Sequence, residues 1–231
     1  MSAPLLVVTG TGTGIGKTVV STGLVAAWSR RGVAVAGVKP IESGVPAEGG
    51  PSGDVRELGQ ASTFHVTRFT PPYLLADAVS PHLAARREGR TIEPRVVVDW
   101  LAPIRSAAEG VVLELPGGLF SPLSDTLTNA DLLLALAPTR VVVVAPDRLG
   151  VLHDVIATTR AARAVGIAID GLVLSSVTDA DASVGTNATE LARVLPDVPV
   201  VAVLARASAE ELRPSFDDAL DALALDRRPD D

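Results

Sequence analysis

The chain has 231 residues, no cysteine and a formal net charge of −7. Without cysteine there is no disulfide framework, zinc thiolate cluster or catalytic thiol, and the acidic balance argues against a non-specific nucleic-acid partner. Aromatic residues make up just 3% of a chain that is 47% hydrophobic, so its core must be built from Val, Leu, Ala and Ile.

At this length one core can be buried without covalent staples, and a single domain over residues 1–231 is expected, with a charged, frayed end at 226–231. No basic segment precedes an apolar run at the N-terminus. The longest apolar stretch, 132–146, is broken by Thr139 and Arg140 and is too short to span a bilayer. A cytoplasmic setting with no membrane partner is the expectation.

In chain order, apolar runs stand at 5–9, 33–38, 111–115, 140–145, 169–174 and 199–204. They are continuous rather than alternating, as parallel strands covered on both faces require. Helical character fills 17–30, 94–108, 149–165 and 185–195. Strand–helix alternation implies parallel strands joined by right-handed crossovers. Residues 46–90 carry Gly49, Gly50, Pro51, Pro71, Pro72 and Pro81, and read as a loop-rich excursion with short helices.

Between the first strand and first helix runs Gly10-Thr11-Gly12-Thr13-Gly14-Ile15-Gly16-Lys17-Thr18. This is the context of a P-loop. Glycines let main-chain N–H groups converge on phosphate oxygens, and the helix start adds its positive end. Gly12, Thr13, Gly14, Ile15 and Gly16 would cradle the phosphates of a nucleoside triphosphate. Lys17, placed at an exposed loop end, would reach the outer phosphates, and the Thr18 hydroxyl would bind Mg²⁺. Five residues separate Gly10 from Gly16 where the general pattern has four. A chance Gly-Lys-Thr in a glycine-rich turn is the competing reading. Strand, loop and helix together favour an α/β, doubly wound, mostly parallel sheet of the P-loop NTPase type.

Three further polar residues stand where such a fold gathers ligands. Glu114 ends an apolar strand, and a carboxylate at the carboxyl end of a parallel strand points into the ligand crevice. It is a candidate metal ligand or an ordinary strand-end acid. Asp54 is a second candidate ligand or a helix cap. Lys39 ends the second strand and is a cation for phosphate or a solvated lysine. Gly150, Val151 and Leu152 open a helix and offer free N–H groups to an anion.

Several blocks resemble dethiobiotin synthetases: Thr9 to Thr18, Lys39-Pro40-Ile41-Glu42-Ser43-Gly44, Ser80-Pro81-His82 with Glu88-Gly89-Arg90, Gly117 to Asp125, and Leu149-Gly150. Their order and spacing match along most of the chain. The five-residue gap in the P-loop is the form this family has. The resemblance implies a homodimeric, Mg²⁺- and ATP-dependent enzyme. Its substrates would be 7,8-diaminopelargonic acid and CO₂, joined through a carbamate and a carbamic-phosphoric anhydride. It also implies roles. Thr13, Lys17 and Lys39 would hold the carbamate and the moving phosphate, and Thr18, Asp54 and Glu114 the Mg²⁺. Ser43, Gly117 and the N–H groups of Gly150, Val151 and Leu152 would bind substrate.

Four positions depart from the family's pattern. Its Glu-Gly-Ala-Gly-Gly reads Glu114-Leu115-Pro116-Gly117-Gly118 here. Gly14 stands where an acidic residue is frequent, and Asn187 where a tyrosine reaches substrate across the dimer. Ser175-Ser176 replaces a common Asn-Asp pair, leaving Ser175 as the expected reader of the base. The alternative reading is a related P-loop ATPase that positions other proteins, or a nucleotide-binding regulator without the synthetase step.

Overall fold

The structure is a computed structural model describing residues 2–45 and 53–225, so the expected frayed end and Gly49, Gly50 and Pro51 lie outside the described residues. The first strand, β1 (Leu5–Gly10), is buried along its whole length and leads through the glycine loop into helix α1 (Lys17–Arg30). Strand β2 (Val35–Val38) follows, then a short strand β3 (Ile41–Ser43), helix α2 (Asp54–Ala61) and strand β4 (Tyr73–Leu75). Next come helices α3 (Pro81–Arg87) and α4 (Pro94–Ala107), strand β5 (Gly110–Glu114) and helix α5 (Asn129–Leu136). The last part alternates regularly: β6 (Arg140–Pro146), α6 (Val151–Ala164), β7 (Gly171–Ser175), α7 (Asn187–Val194), β8 (Val200–Val203) and α8 (Arg213–Ala222).

Six strands form one parallel sheet in the order β2-β5-β1-β6-β7-β8, while β3 and β4 pair as a small parallel sheet of their own. The continuous apolar runs are explained by what each strand face meets. In β1, Leu5 and Val7 enter one core with Val97, Leu101, Leu132 and Val155. Leu6 and Val8 enter the other with Leu24, Trp28 and Phe216. Helices cover both faces, so the central strands are closed to water and alternation disappears, Val203 on the edge strand β8 being exposed.

The open edge of β2 is closed by hydroxyls. Ser62 Oγ accepts from Gly37 N at 2.8 Å and Thr63 Oγ1 from Val35 N at 3.0 Å. That removes unpaired edge donors that another chain could use. The start of helix α5 is tied down by Asp131: Thr128 N and the Thr128 hydroxyl both donate to Asp131 Oδ2, at 2.7 and 2.8 Å.

The strand order decides where a ligand binds. From β1 the chain crosses to β2, returns to β5 between them, then departs to β6 on the opposite side. β1 thus lies at the topological switch point, and the loops beyond the carboxyl ends of β1, β2 and β5 diverge to leave a crevice.

Candidate functional site

The glycine loop is held from behind by main-chain bonds. Thr11 N donates to Val144 O at 3.0 Å, and Leu119 N donates to Gly10 O at 2.9 Å. Gly16 is left-handed (φ 83°), a conformation that turns the loop into α1 and that a side chain would strain. Gly118 lies so close that an added Cβ would stand 3.2 Å from Gly10 O and from Thr11, which packs the loop after β5 directly on the P-loop.

Lys17 and Lys39 are the only two lysines in the sequence, and the fold brings both into one cleft of about 760 Å³. Lys17 opens α1 and its Nζ donates to Gly12 O at 2.7 Å. It is buried rather than lying at an exposed loop end, and burial lowers its pKa to about 8, with Lys39 adding to the effect and Glu114 and Asp54 opposing it. Lys39, 7% exposed, leaves the end of β2 and its Nζ donates to Glu114 Oε1 at 2.7 Å and to Asp54 Oδ2. Burial works against the Lys39 charge, but the two carboxylates outweigh it and hold the pKa above the ordinary lysine value. Asp54 responds in mirror image: burial pushes it up, but Lys39 and a hydrogen bond from Thr18 draw it below the usual aspartate range.

Glu114, 1% exposed, ends β5 and also accepts from the Thr18 hydroxyl at 3.3 Å. Its Oε2 is buried with no partner among the described residues. A buried carboxylate oxygen, a second carboxylate and a threonine hydroxyl are hard donors, and they fit a divalent cation such as Mg²⁺. Thr13, Gly14, Ile15, Gly16, Gly117 and Ser43 also line this cleft.

Five expected site residues lie elsewhere. The one proton of the Ser175 hydroxyl is engaged: it donates to Ile15 O at 2.6 Å and so braces the P-loop from behind, leaving the oxygen as an acceptor alone. Asn187 is buried in its own chain, where its Nδ2 donates to Asp147 Oδ1 at 2.7 Å. A tyrosine there could extend outward; the shorter amide is retained by an acid that follows β6. Gly150, Val151 and Leu152 open α6 outside the cleft, beside the exposed Leu149.

Two residues of the site escaped sequence reasoning. Asn129 Nδ2 donates to Pro116 O at 2.5 Å and to Gly118 O at 2.8 Å, fixing the turn where Leu115-Pro116 departs from the family's pattern. Glu42 lines the cleft, and its Oε1 accepts from Asp54 N at 2.9 Å. Burial raises the Glu42 pKa. Glu42 stands inside the Lys39–Gly44 block, where its acid was the available signal.

Comparisons with known proteins show the family and the fold. A family described as an AAA domain matches residues 5–208. The "ATP-dependent dethiobiotin synthetase BioD" of Ralstonia nicotianae is 39% identical over 210 residues, covering 89% of this chain and 90% of that protein. The protein of the same name from Rhodopirellula baltica is 40% identical over 87% of this chain and 83% of its own length. The chain belongs to the dethiobiotin synthetase family. It is accordingly an ATP-dependent enzyme of dethiobiotin synthesis. Among solved structures, the septum site-determining protein MinD of Pyrococcus horikoshii, in complex with Mg-ADP, superposes with a TM-score of 0.58 at 16% identity, over 97% of this chain and 95% of that one. At that identity the likeness speaks for the P-loop fold alone. No helix among the described residues is long and apolar enough to cross a membrane.

Proposed function

We propose that this synthetase carries out the ATP- and Mg²⁺-dependent carboxylation and ring closure of 7,8-diaminopelargonic acid with CO₂. It acts as a single domain that pairs into a homodimer in the cytoplasm. The observation that carries the reading is the convergence of the two lysines with Asp54, Glu114 and Thr18 beside the P-loop. Phosphoryl transfer is achieved by positioning and charge stabilisation rather than by acid–base groups, and cations with oriented donors are what this cleft supplies.

In the first step one neutral amine attacks CO₂, forming a C–N bond and releasing a proton. A carbamate oxygen then attacks the γ-phosphorus, and the bond to ADP breaks with its electron pair leaving on ADP. Finally the second amine attacks the carbonyl carbon, the ureido ring closes, and phosphate departs while the amine gives up a proton. Thr18, Asp54 and Glu114 would hold Mg²⁺, which neutralises charge on the phosphate oxygens when bound. Lys17 and the N–H groups of Gly12 to Gly16 orient the triphosphate. Lys39 stands between two groups of like charge, the carbamate and the γ-phosphate, and lowers the cost of their approach. Thr13 and Gly117 border that region, and Ser43 faces the substrate. The N–H groups of Gly150 and Leu152 take the distant carboxylate of the diamine held by a second copy of the chain, while the Val151 N–H is given to Arg148 O at 3.1 Å.

The anhydride is tested by oxygen transfer. In a single turnover with ¹⁸O-labelled CO₂, the released phosphate should carry one labelled oxygen, because the bridging atom leaves with phosphorus. Unlabelled phosphate alongside labelled dethiobiotin would rule the anhydride out.

A further inference from the structure

Glu42 is a carboxylate on β3 that is 7% exposed and faces the cleft. Its two oxygens have different fates. Oε1 caps the start of α2 by accepting the N–H of Asp54 at 2.9 Å, since Gly53 at the cap position has no side chain to do so. Oε2 is buried and has no hydrogen-bond partner among the described residues. The hydroxyl of the next residue, Ser43, is in the same condition. Buried polar atoms of native proteins are nearly always paired, and an unmatched carboxylate oxygen is among the most costly exceptions. Lys39, the nearest cation in the sequence, donates to Asp54 and Glu114 and makes no hydrogen bond to Glu42 Oε2. Among the described residues nothing supplies that donor, and a ligand amine entering the cleft would.

We propose that Glu42 reads the diamine: its Oε2, with the hydroxyl of Ser43 beside it, receives one amine of the substrate. The inference rests on the reaction proposed above and adds a residue to it. A vicinal diamine does not hold two protons easily, because two ammonium groups on adjacent carbons repel. It enters carrying one proton. A carboxylate facing one nitrogen gathers that proton there and leaves the other nitrogen neutral, the form that attacks CO₂. Glu42 thereby selects which amine is carboxylated first, while its second oxygen keeps α2 and Asp54 in place.

The test uses the full chain and calorimetric titration with 7,8-diaminopelargonic acid in the absence of nucleotide, beside a separate titration with Mg-ATP. Glu42→Gln retains an amide oxygen for the Asp54 N–H but removes the charge. It should weaken diamine binding about tenfold to a hundredfold, the range of a charge-assisted hydrogen bond, leave Mg-ATP affinity unchanged, and leave the melting temperature of the ligand-free protein unchanged or raised. Ser43→Ala should weaken the diamine by a smaller factor in the same selective way. An unchanged diamine affinity in Glu42→Gln overturns the proposal. So does a parallel loss of Mg-ATP affinity, which makes Glu42 a clamp on α2 and nothing more. If the unsubstituted protein fails to bind the diamine, the reaction itself has been misread, and the role of Glu42 falls with it.

Discussion

Replacing Lys39 by methionine removes the cation that two carboxylates share while keeping most of the side chain's volume. Breaking a buried ion pair by deleting one partner costs about 3–5 kcal/mol, because the remaining charge stays buried without compensation. The two halves are unequal here. The Glu114 side chain is 1% exposed, whereas that of Asp54 is 37% exposed and partly screened by water. A loss near the lower end, about 3 kcal/mol, is therefore expected. For a chain of this size that lowers the melting temperature by about 6–12 °C. The pH window follows from the two shifts. Lys39 is raised, so its contribution is present below the ordinary lysine value and is lost only as pH climbs through the higher folded value. Asp54 is depressed, so its contribution is present above its ordinary 3.8 and is lost as pH falls through the lower folded value. The difference between parent and Lys39→Met should thus hold across neutral pH and shrink in acid. Millimolar Mg²⁺ should narrow it too, since the metal would stand between the carboxylates that the lysine left. In turnover the variant should lose roughly a hundredfold in kcat, comparable to removing one preorganised donor to a developing charge. Melts with EDTA and with Mg²⁺ decide the matter. Equal melting temperatures in EDTA, or an identical response to Mg²⁺, would show that Lys39 compensates neither carboxylate.

Lys17→Met should abolish turnover and leave the ligand-free protein as stable as the parent or more so, since burial lowers the Lys17 pKa to about 8 from 10.5. Between those values the unfolded chain binds the extra proton, so parent stability should rise with pH across this window, a slope that chemical denaturation should find missing in the variant. Asp54→Asn and Glu114→Gln should each raise the Mg²⁺ concentration needed for half-maximal rate more than they weaken diamine binding, and superimposable Mg²⁺ titrations would make both acids structural. Asn129→Ala leaves the buried Pro116 carbonyl unmet, while Gly118 O keeps the Ser121 N–H, and should cost about 1–3 kcal/mol in urea denaturation while slowing turnover through the Pro116–Gly118 turn. With the Ser175 hydroxyl spent on Ile15, ATP should exceed CTP or GTP in kcat/KM by less than about a hundredfold; a ten-thousandfold preference would reveal an adenine pocket built from other residues.

The regular part of the fold was legible because periodicity and composition are local. Helix α1 falls at the expected 17–30, and all six strands of the main sheet fall within a residue or two of the apolar runs. Helix α5 was hidden because only Pro138, Thr139 and Arg140 separate its leucines and alanines from the valines of β6, leaving the Thr128–Asp131 cap as its clearest boundary mark. Helix α8, whose ten residues RPSFDDALDA mix charge with few large apolar groups, gave too weak a stripe to be seen. The phosphate loop could be read from its own nine residues. The bond from Lys39 to Glu114 spans 75 positions of sequence and could not, nor could the brace from Ser175 to Ile15 across 160. Asn187 shows the limit of reasoning by substitution: the position was identified by the tyrosine it lacks, but its role here is set by Asp147, which no spacing rule connects to it.

The central claim is that this cleft couples ATP cleavage to closure of a ureido ring. Incubation with Mg-ATP, 7,8-diaminopelargonic acid and ¹³C-bicarbonate, followed by mass spectrometry and phosphate assay, tests it directly. The account predicts dethiobiotin carrying one ¹³C, formed in step with equal amounts of ADP and phosphate, and no ADP release when the diamine is withheld. ATP hydrolysis that proceeds without the diamine, or that yields no labelled dethiobiotin in its presence, would contradict it.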